Sequence, residues 1–123
     1  MKIVNRKIFL KLPAGVLFSK YVPCIFDDLC IKGDTSGEND FWAQPIAGAV
    51  ACNDTDEFID VLNAAESGSR FALDFECEYR DGLFDADQLF AVWELQDVIA
   101  LISRLQKLLL YYPEVGDCEK GDL

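Results

Sequence analysis

The stretch LFAVWELQDVIALISRLQKLLLYY, residues 89–112, decides the fold class of this chain. Its first five residues, 89–93, are apolar on every side, and such a run is typical of a short central strand. Apolar side chains then recur at helical spacing from Val98 to Tyr112, which predicts an amphipathic helix of roughly four turns. Pro113 ends this helix.

The same stretch allows a second interpretation, in which residues 86–110 form one long helix. Asp85 and Gln88 would then provide its capping box. We favour a strand followed by a helix, because a run that is apolar on every side does not suit one face of a surface helix.

The first half of the chain predicts one short helix and three strands. Asn5 is suited to cap a helix over residues 6–12, which ends before the turn at Pro13. Three β-rich runs predict antiparallel strands, and these cover residues 16–21, 29–32 and 41–46. The last of them is expected to be short or at an edge, because Pro45 lacks a backbone donor.

The middle of the chain predicts a helix and a strand. Asp54 and Glu57 form a capping-box pattern at the start of a helix over residues 55–66, and Gly68 is suited to its C-terminal end. Apolar and polar side chains then alternate strictly over residues 71–79, which predicts a half-buried strand with residues 89–93 as its returning partner.

These elements predict an α+β fold, in which a mainly antiparallel sheet of four to five strands carries two main helices packed on one face, together with a short N-terminal helix. The length of 123 residues fits a single domain over residues 1–123. Residues 114–123 are expected to form a loose acidic tail.

Charge is distributed very unevenly along the chain. Acidic side chains number 22 and basic ones 11, so the formal net charge is −11. Residues 1–26 hold five basic side chains and no acidic one, whereas residues 27–97 hold 18 acidic ones and only Lys32, Arg70 and Arg80. The negative electrostatic field of so many carboxylates attracts basic proteins and repels nucleic acid and anionic membranes.

The polar face of the predicted strand over residues 71–79 is the main candidate binding surface. Asp74, Glu76 and Glu78 would form a row of carboxylates about 7 Å apart, which Asp81, Asp85 and Asp87 would continue. A row of this kind can compete with phosphates for lysine and arginine side chains. It therefore predicts either binding to a basic protein, as an inhibitor or nucleic-acid mimic, or a solvated face that keeps the protein soluble.

Phe41 and Trp42 are a weaker candidate for contact with a partner. Adjacent residues of a strand point to opposite faces, so only one of the two rings can belong to the core. The other is then available as an aromatic anchor.

The composition excludes several kinds of chemistry. The chain has no histidine, no glycine-rich phosphate loop and no cysteine pair with zinc-site spacing, and its five cysteines are expected to be free thiols. We therefore predict no catalytic residue, no metal site and no cofactor. Runs of five apolar residues are too short to cross a membrane, and scattered basic residues in the first 20 positions do not suit a signal peptide, so we expect a cytoplasmic protein.

Two segments resemble small uncharacterised proteins of tailed bacteriophages and prophages. The first runs from KYVPCIF (20–26) through LCIKGD (29–34) to NDFW (39–42), and the second runs from RDGLF (80–84) to Glu94. The resemblance implies a phage accessory role, such as inhibition of a host defence protein or nucleic-acid enzyme. Two alternatives remain open, namely an assembly component of a phage particle and a carboxylate-based metal-dependent enzyme.

Overall fold

The main sheet of this protein joins three consecutive strands to strands that lie far from them in the sequence. A computed structural model describes residues 1–113. Its elements, in chain order, are β1 (Lys2–Asn5), α1 (Arg6–Leu10), β2 (Leu17–Val22), β3 (Ile25–Ser36), β4 (Asp40–Pro45), β5 (Ala49–Val50), α2 (Thr55–Glu66), β6 (Leu73–Asp74), β7 (Tyr79–Arg80), β8 (Leu89–Val92) and α3 (Leu95–Leu109). The α+β class with a mainly antiparallel sheet is confirmed, and the predicted tail at 114–123 lies outside the described residues.

The main sheet has six strands in the order β1-β8-β2-β3-β4-β7, and β5 and β6 form a separate two-stranded sheet. Val92 of β8 pairs with Lys2 of β1 on one side and with Phe18 of β2 on the other. The predicted central strand at the start of the 89–112 stretch is therefore confirmed, and the long-helix alternative is wrong. The sheet exceeds the predicted four to five strands because β1 is an additional strand, over residues that the sequence pattern does not mark as one.

The core consists of aromatic rings between α1 and one face of the sheet. Phe9 is fully buried, and its ring stacks on Phe90 with centroids 3.9 Å apart. Phe18 and Phe41 meet the Phe9 ring edge to face, at 4.7 and 5.0 Å. Asn5 caps α1 as predicted, because its side chain accepts a hydrogen bond from Ile8 N. The helix ends at Leu10, two residues earlier than expected.

The prediction that the two main helices pack on one face of the sheet is wrong. The bounds of α2 agree with the prediction, and α3 begins at Leu95, where Asp97 Oδ2 accepts a hydrogen bond from Glu94 N. Within the described part of the chain, however, neither α2 nor α3 contributes a buried residue. It is the short α1 that contacts β1 and β8 and covers the core.

The predicted strand over residues 71–79 does not form either. Asp74 Oδ1 accepts a hydrogen bond from Glu76 N at 2.8 Å, and this local bond stabilises a bend at residues 75–76. The segment is therefore split between β6, which pairs with β5, and β7, which pairs with β4. The 89–93 segment is not its returning partner, since β8 pairs with β1 and β2.

Candidate protein-binding loop and its buried anchor

A buried carboxylate holds the chain at the point where β7 ends. The side chain of Asp81 is 1% exposed, and its two oxygens lie 2.5 Å from Lys20 Nζ and 3.3 Å from Arg6 Nη2. Arg6 Nη2 also donates to the carbonyl oxygen of Asn39 at 2.5 Å. The prediction that Asp81 continues an exposed carboxylate row is therefore wrong, because the sheet brings two distant cations onto it.

The charge state of Asp81 follows from these contacts. Burial by itself would raise the pKa of its carboxyl group, but the hydrogen bond and charge of Lys20, together with the hydrogen bond from Arg6, outweigh burial. The pKa of Asp81 is therefore below its ordinary value. The group is a charged anchor at neutral pH.

Asp40 fixes Gly82, the residue that follows Asp81. It is 4% exposed, and its Oδ1 accepts hydrogen bonds from Phe41 N and from Gly82 N, both at 2.9 Å. Its Oδ2 forms an ion pair with Arg80 Nε at 3.2 Å. Gly82 has φ 66°, a backbone conformation that glycine adopts without strain.

Residues 82–87, called the 82–87 loop below, are held at their far end as well. Gln88 Nε2 donates to the carbonyl oxygens of Tyr21 at 3.0 Å and Leu89 at 2.8 Å. Within the loop, Asp85 Oδ1 accepts a hydrogen bond from Asp87 N at 3.0 Å. The loop is therefore pre-formed between two anchored ends.

The 82–87 loop exposes apolar and acidic side chains together. Leu83 is 69% and Phe84 57% exposed, and the adjoining Asp85 and Asp87 are exposed too. Phe84 has φ 53°, which is uncommon for a bulky residue and costs about 1–3 kcal/mol. Exposed apolar residues on strained, anchored backbone make this loop a candidate binding site. In the sequence, the order Gly82, Leu83, Phe84 is the signal that could have marked it.

The other members of the predicted row are distributed differently. Glu76 and Glu78 are exposed, whereas Asp74 is half-buried and bonded to the backbone of Glu76. The bend at residues 75–76 means that the three carboxylates do not follow one straight strand face. Their contact with a partner stays a prediction, as it does for the two carboxylates of the loop.

Phe41 and Trp42 do point to opposite faces of β4, as predicted. Phe41 is 1% exposed and belongs to the core against Phe9, so its prediction as a contact residue is wrong. Trp42 is 37% exposed on the other face. Its Cβ would lie 2.9 Å from a Cβ added at Gly33, so only glycine permits this close approach. Trp42 stays a candidate contact.

A cavity of about 220 Å³ adjoins the buried anchor and is lined in part by Lys20, Cys30, Tyr79 and Asp81. Cys30 Sγ lies 3.4 Å from Tyr79 Oη, and burial together with this hydrogen bond raises the pKa of Tyr79. The phenol therefore stays protonated at neutral pH and is not a ready general base.

Four of the cysteines, Cys24, Cys30, Cys52 and Cys77, are free thiols as expected, and Cys118 lies outside the described residues. Among residues 1–113, no three cysteine or acidic side chains are grouped in a way that could hold a metal ion. Over the same range, no helix has the length and apolar character needed to cross a membrane. The chain matches no known protein-family model, no curated protein and no solved structure.

Proposed function

We propose that this protein acts by binding a basic protein through the 82–87 loop, without catalysing a reaction. The observation that carries the proposal is the exposed Phe84 beside Asp85 and Asp87, on backbone whose two ends are fixed by buried polar contacts. Aromatic side chains provide much of the binding energy in protein interfaces, and carboxylates beside them select for a cationic surface.

The anchored ends matter for affinity as well as for shape. A loop that is already ordered loses less conformational entropy when it binds, so more of the interaction energy appears as affinity. Asp81 and Gln88 therefore support the proposed binding by fixing the two ends of the loop, and neither needs to touch the partner.

The distribution of charge supports a cationic partner. Two of the five basic side chains in residues 1–26, Arg6 and Lys20, form ion pairs with Asp81, and Lys32 is 1% exposed. The carboxylates of Asp81 and Asp40 are buried with these cations, so the surface keeps the acidic balance of the whole chain, whose net charge is −11, and such a surface repels nucleic acid. In keeping with the resemblance to phage proteins, we expect the partner to be a basic host protein that handles nucleic acid, reached in the cytoplasm.

The test is affinity capture of the tagged protein from a nuclease-treated bacterial lysate, with elution in steps of salt and identification by mass spectrometry. We expect a basic protein that is released as the salt concentration rises. The variant D85N/D87N should lose it, since asparagine keeps the Oδ1 that holds the loop turn but removes both charges. The matched control D60N/E66Q removes the same charge from exposed positions of α2 and should retain it.

A second arm tests the aromatic anchor with the captured protein in purified form. The variant F84N keeps a residue that tolerates positive φ, and we expect its affinity to fall at least about tenfold. F75N, which removes an equally exposed ring outside the loop, is the control. Equal binding by wild type and the loop variants would overturn the proposal, and so would equal loss in D60N/E66Q, because bulk charge would then explain capture.

A further inference from the structure

We propose that the cavity beside the 82–87 loop receives the side chain of an arginine of the basic partner. The inference rests on the proposed function and adds to it the kind of residue that the partner presents. The cavity, called the Asp81 cavity below, has a volume of about 220 Å³, and Asp27 and Asp28 of β3 line it together with Lys20, Tyr79 and Asp81. Its place in the fold, its charge and its size each support an arginine as the occupant.

The Asp81 cavity lies on the face of the sheet that α1 covers in part. The rings of Phe18 and Phe41 contact Phe9 of α1, and the same two residues line the cavity. Cys30 pairs with Phe18 across β2 and β3, and it lines the cavity too. Because α1 has only five residues, it leaves part of this face uncovered. The cavity is therefore a recess beside the core, and buried side chains form part of its wall.

A β-bulge turns two consecutive carboxylates toward the Asp81 cavity. The pairing of β2 with β3 shifts by one residue here, so that Lys20 lies opposite both Asp27 and Asp28. Neighbours in a regular strand point to opposite faces, whereas a bulge re-aims a side chain. Both residues are exposed, and within the part of the chain that the structure describes neither carboxylate forms an ion pair. Their charges are therefore available to a partner.

The balance of charge at the Asp81 cavity favours a cation. Three carboxylates meet two cations at this site, namely Asp27, Asp28 and Asp81 with Arg6 and Lys20. One negative charge is therefore in excess. The hydroxyl group of Tyr79 lies in this negative field, since burial and Cys30 raise its pKa most and the charges of Asp81 and Asp28 raise it further. A cationic group that enters the cavity is stabilised by the same field.

The size of the Asp81 cavity suits one side chain. Pockets that enclose a whole small molecule measure about 300–1,000 Å³. A volume of 220 Å³ has room for roughly seven water molecules at about 30 Å³ each, and these can be displaced by a single long side chain. The guanidinium group of arginine is flat and weakly hydrated, stacks on aromatic rings and donates to carboxylates. Tyr79 provides a ring, and Asp27 and Asp28 provide the acceptors.

Both ends of the 82–87 loop adjoin the Asp81 cavity. The loop begins directly after Asp81, which lines the cavity. At its other end, Gln88 donates to the carbonyl oxygen of Tyr21, the residue that follows Lys20. A partner that contacts Phe84 therefore has the cavity within reach of a neighbouring side chain. Anchor residues of protein interfaces fill pockets of this kind.

The first test uses N-acetyl-arginine amide as the probe and the isotope-labelled full chain, observed by NMR. We expect saturable shifts of the backbone amide signals of Asp27, Asp28 and Tyr79. The citrulline analogue keeps the shape of the probe without its charge, and it should bind at least about tenfold more weakly. N-acetyl-lysine amide has the same charge on a more strongly hydrated group, and it should also bind more weakly.

Variants locate the probe in the Asp81 cavity. D27N/D28N keeps the shape of two exposed side chains and should weaken the binding of N-acetyl-arginine amide at least about tenfold. D60N/E66Q removes the same charge from exposed positions of α2 and should bind the probe as wild type does. The inference would be overturned by a lack of saturable shifts at the cavity, by equal binding of the arginine probe and either analogue, or by equal binding to wild type and D27N/D28N.

The second test uses the purified partner captured from the lysate and separates the cavity from the loop. D27N/D28N should lower the affinity for the partner at least about tenfold, and D60N/E66Q should leave it unchanged. Probe binding together with an unchanged partner affinity of D27N/D28N would mean that the cavity takes free guanidinium compounds, which overturns the assignment to the partner. Equal partner binding by wild type and D85N/D87N would refute the proposed function of the loop, while saturable probe binding would still support the cavity as an arginine site.

Discussion

At the scale of single residues, Asp81 shows how one buried carboxylate joins three parts of the chain. Its partners Arg6 and Lys20 are 75 and 61 residues away in sequence. Removing the Asp81 carboxylate would leave Arg6 and Lys20 without their counter-ion at a site with little access to water. The loss of unfolding free energy is then larger than the net contribution of the intact cluster. The same contacts fix the start of the 82–87 loop, so this residue links the stability of the fold to the proposed binding.

We expect D81N to lower the free energy of unfolding by about 3 kcal/mol at pH 7. The folded-state pKa of Asp81 lies below its ordinary value of 3.8, so its charged form stabilises the fold above that pH. This stabilisation is lost as the pH falls through the folded-state pKa. Urea unfolding at several pH values should therefore show a difference between wild type and D81N that is constant above about pH 5 and shrinks in acid. Equal unfolding midpoints at pH 7 would contradict the assignment.

Lys32 is also a buried charged residue, but, unlike Asp81, its hydrogen-bond partners are neutral. Its Nζ donates to the neutral oxygens of Gly33 and Thr35, both at 3.0 Å, in a side chain that is 1% exposed. Burial lowers the pKa of Lys32, and the charge of Asp34 opposes this only in part. Since the unfolded chain then binds more protons, this residue makes the fold more stable as the pH rises towards 10.5.

At the scale of elements, α1 determines the stability of the core although it has only five residues. A helix this short is not stable in isolation. It persists because Phe9 is enclosed by rings from three strands, namely Phe18 of β2, Phe41 of β4 and Phe90 of β8.

The variant F9A should therefore lose about 3–5 kcal/mol of unfolding free energy, from lost burial and the cavity that remains. I8A removes a neighbouring side chain of α1 that is 49% exposed and should change it by less than about 0.5 kcal/mol. Both values are obtained from urea unfolding followed by circular dichroism. Similar losses in the two variants would show that α1 does not pack as described.

Local signals predicted some of these elements correctly. Asp54 accepts a hydrogen bond from Glu57 N at 2.8 Å, and this cap fixes the start of α2 where the sequence placed it. The prediction of one strand over residues 71–79 is wrong because alternation shows only which side chains share a face. It does not show whether the backbone has a neighbouring strand to pair with, and the turn at Asp74 interrupts that pairing. No local sequence pattern could predict the burial of Asp81. Its burial depends on the strand order of the sheet, which brings together residues more than sixty positions apart.

At the scale of the whole molecule, opposite charges that are separate in sequence meet inside the fold. The cations of the N-terminal region neutralise Asp81, while most carboxylates of the middle region remain at the surface. The exposed surface therefore repels itself, and this repulsion opposes folding.

We expect the urea midpoint of unfolding to rise when sodium chloride is increased from about 0.01 to 0.15 M, because the screening length falls from about 30 to 8 Å. D60N/E66Q lowers the surface charge and should show a smaller rise. The buried pairs at Asp81 are less screened and contribute little to the difference. A midpoint that falls with added salt would mean that surface ion pairs dominate over repulsion.

The position of β8 also has a consequence for how the protein is made. The ribosome synthesises β8 after every other strand of the main sheet, yet β8 lies between β1 and β2. Until residue 90 is available, Phe9 lacks the ring on which it stacks, and β1 has no neighbour in the sheet. The first 88 residues of the nascent chain therefore cannot complete the core before the rest is synthesised. The sheet is complete only when β8, its last strand in the chain, inserts between β1 and β2.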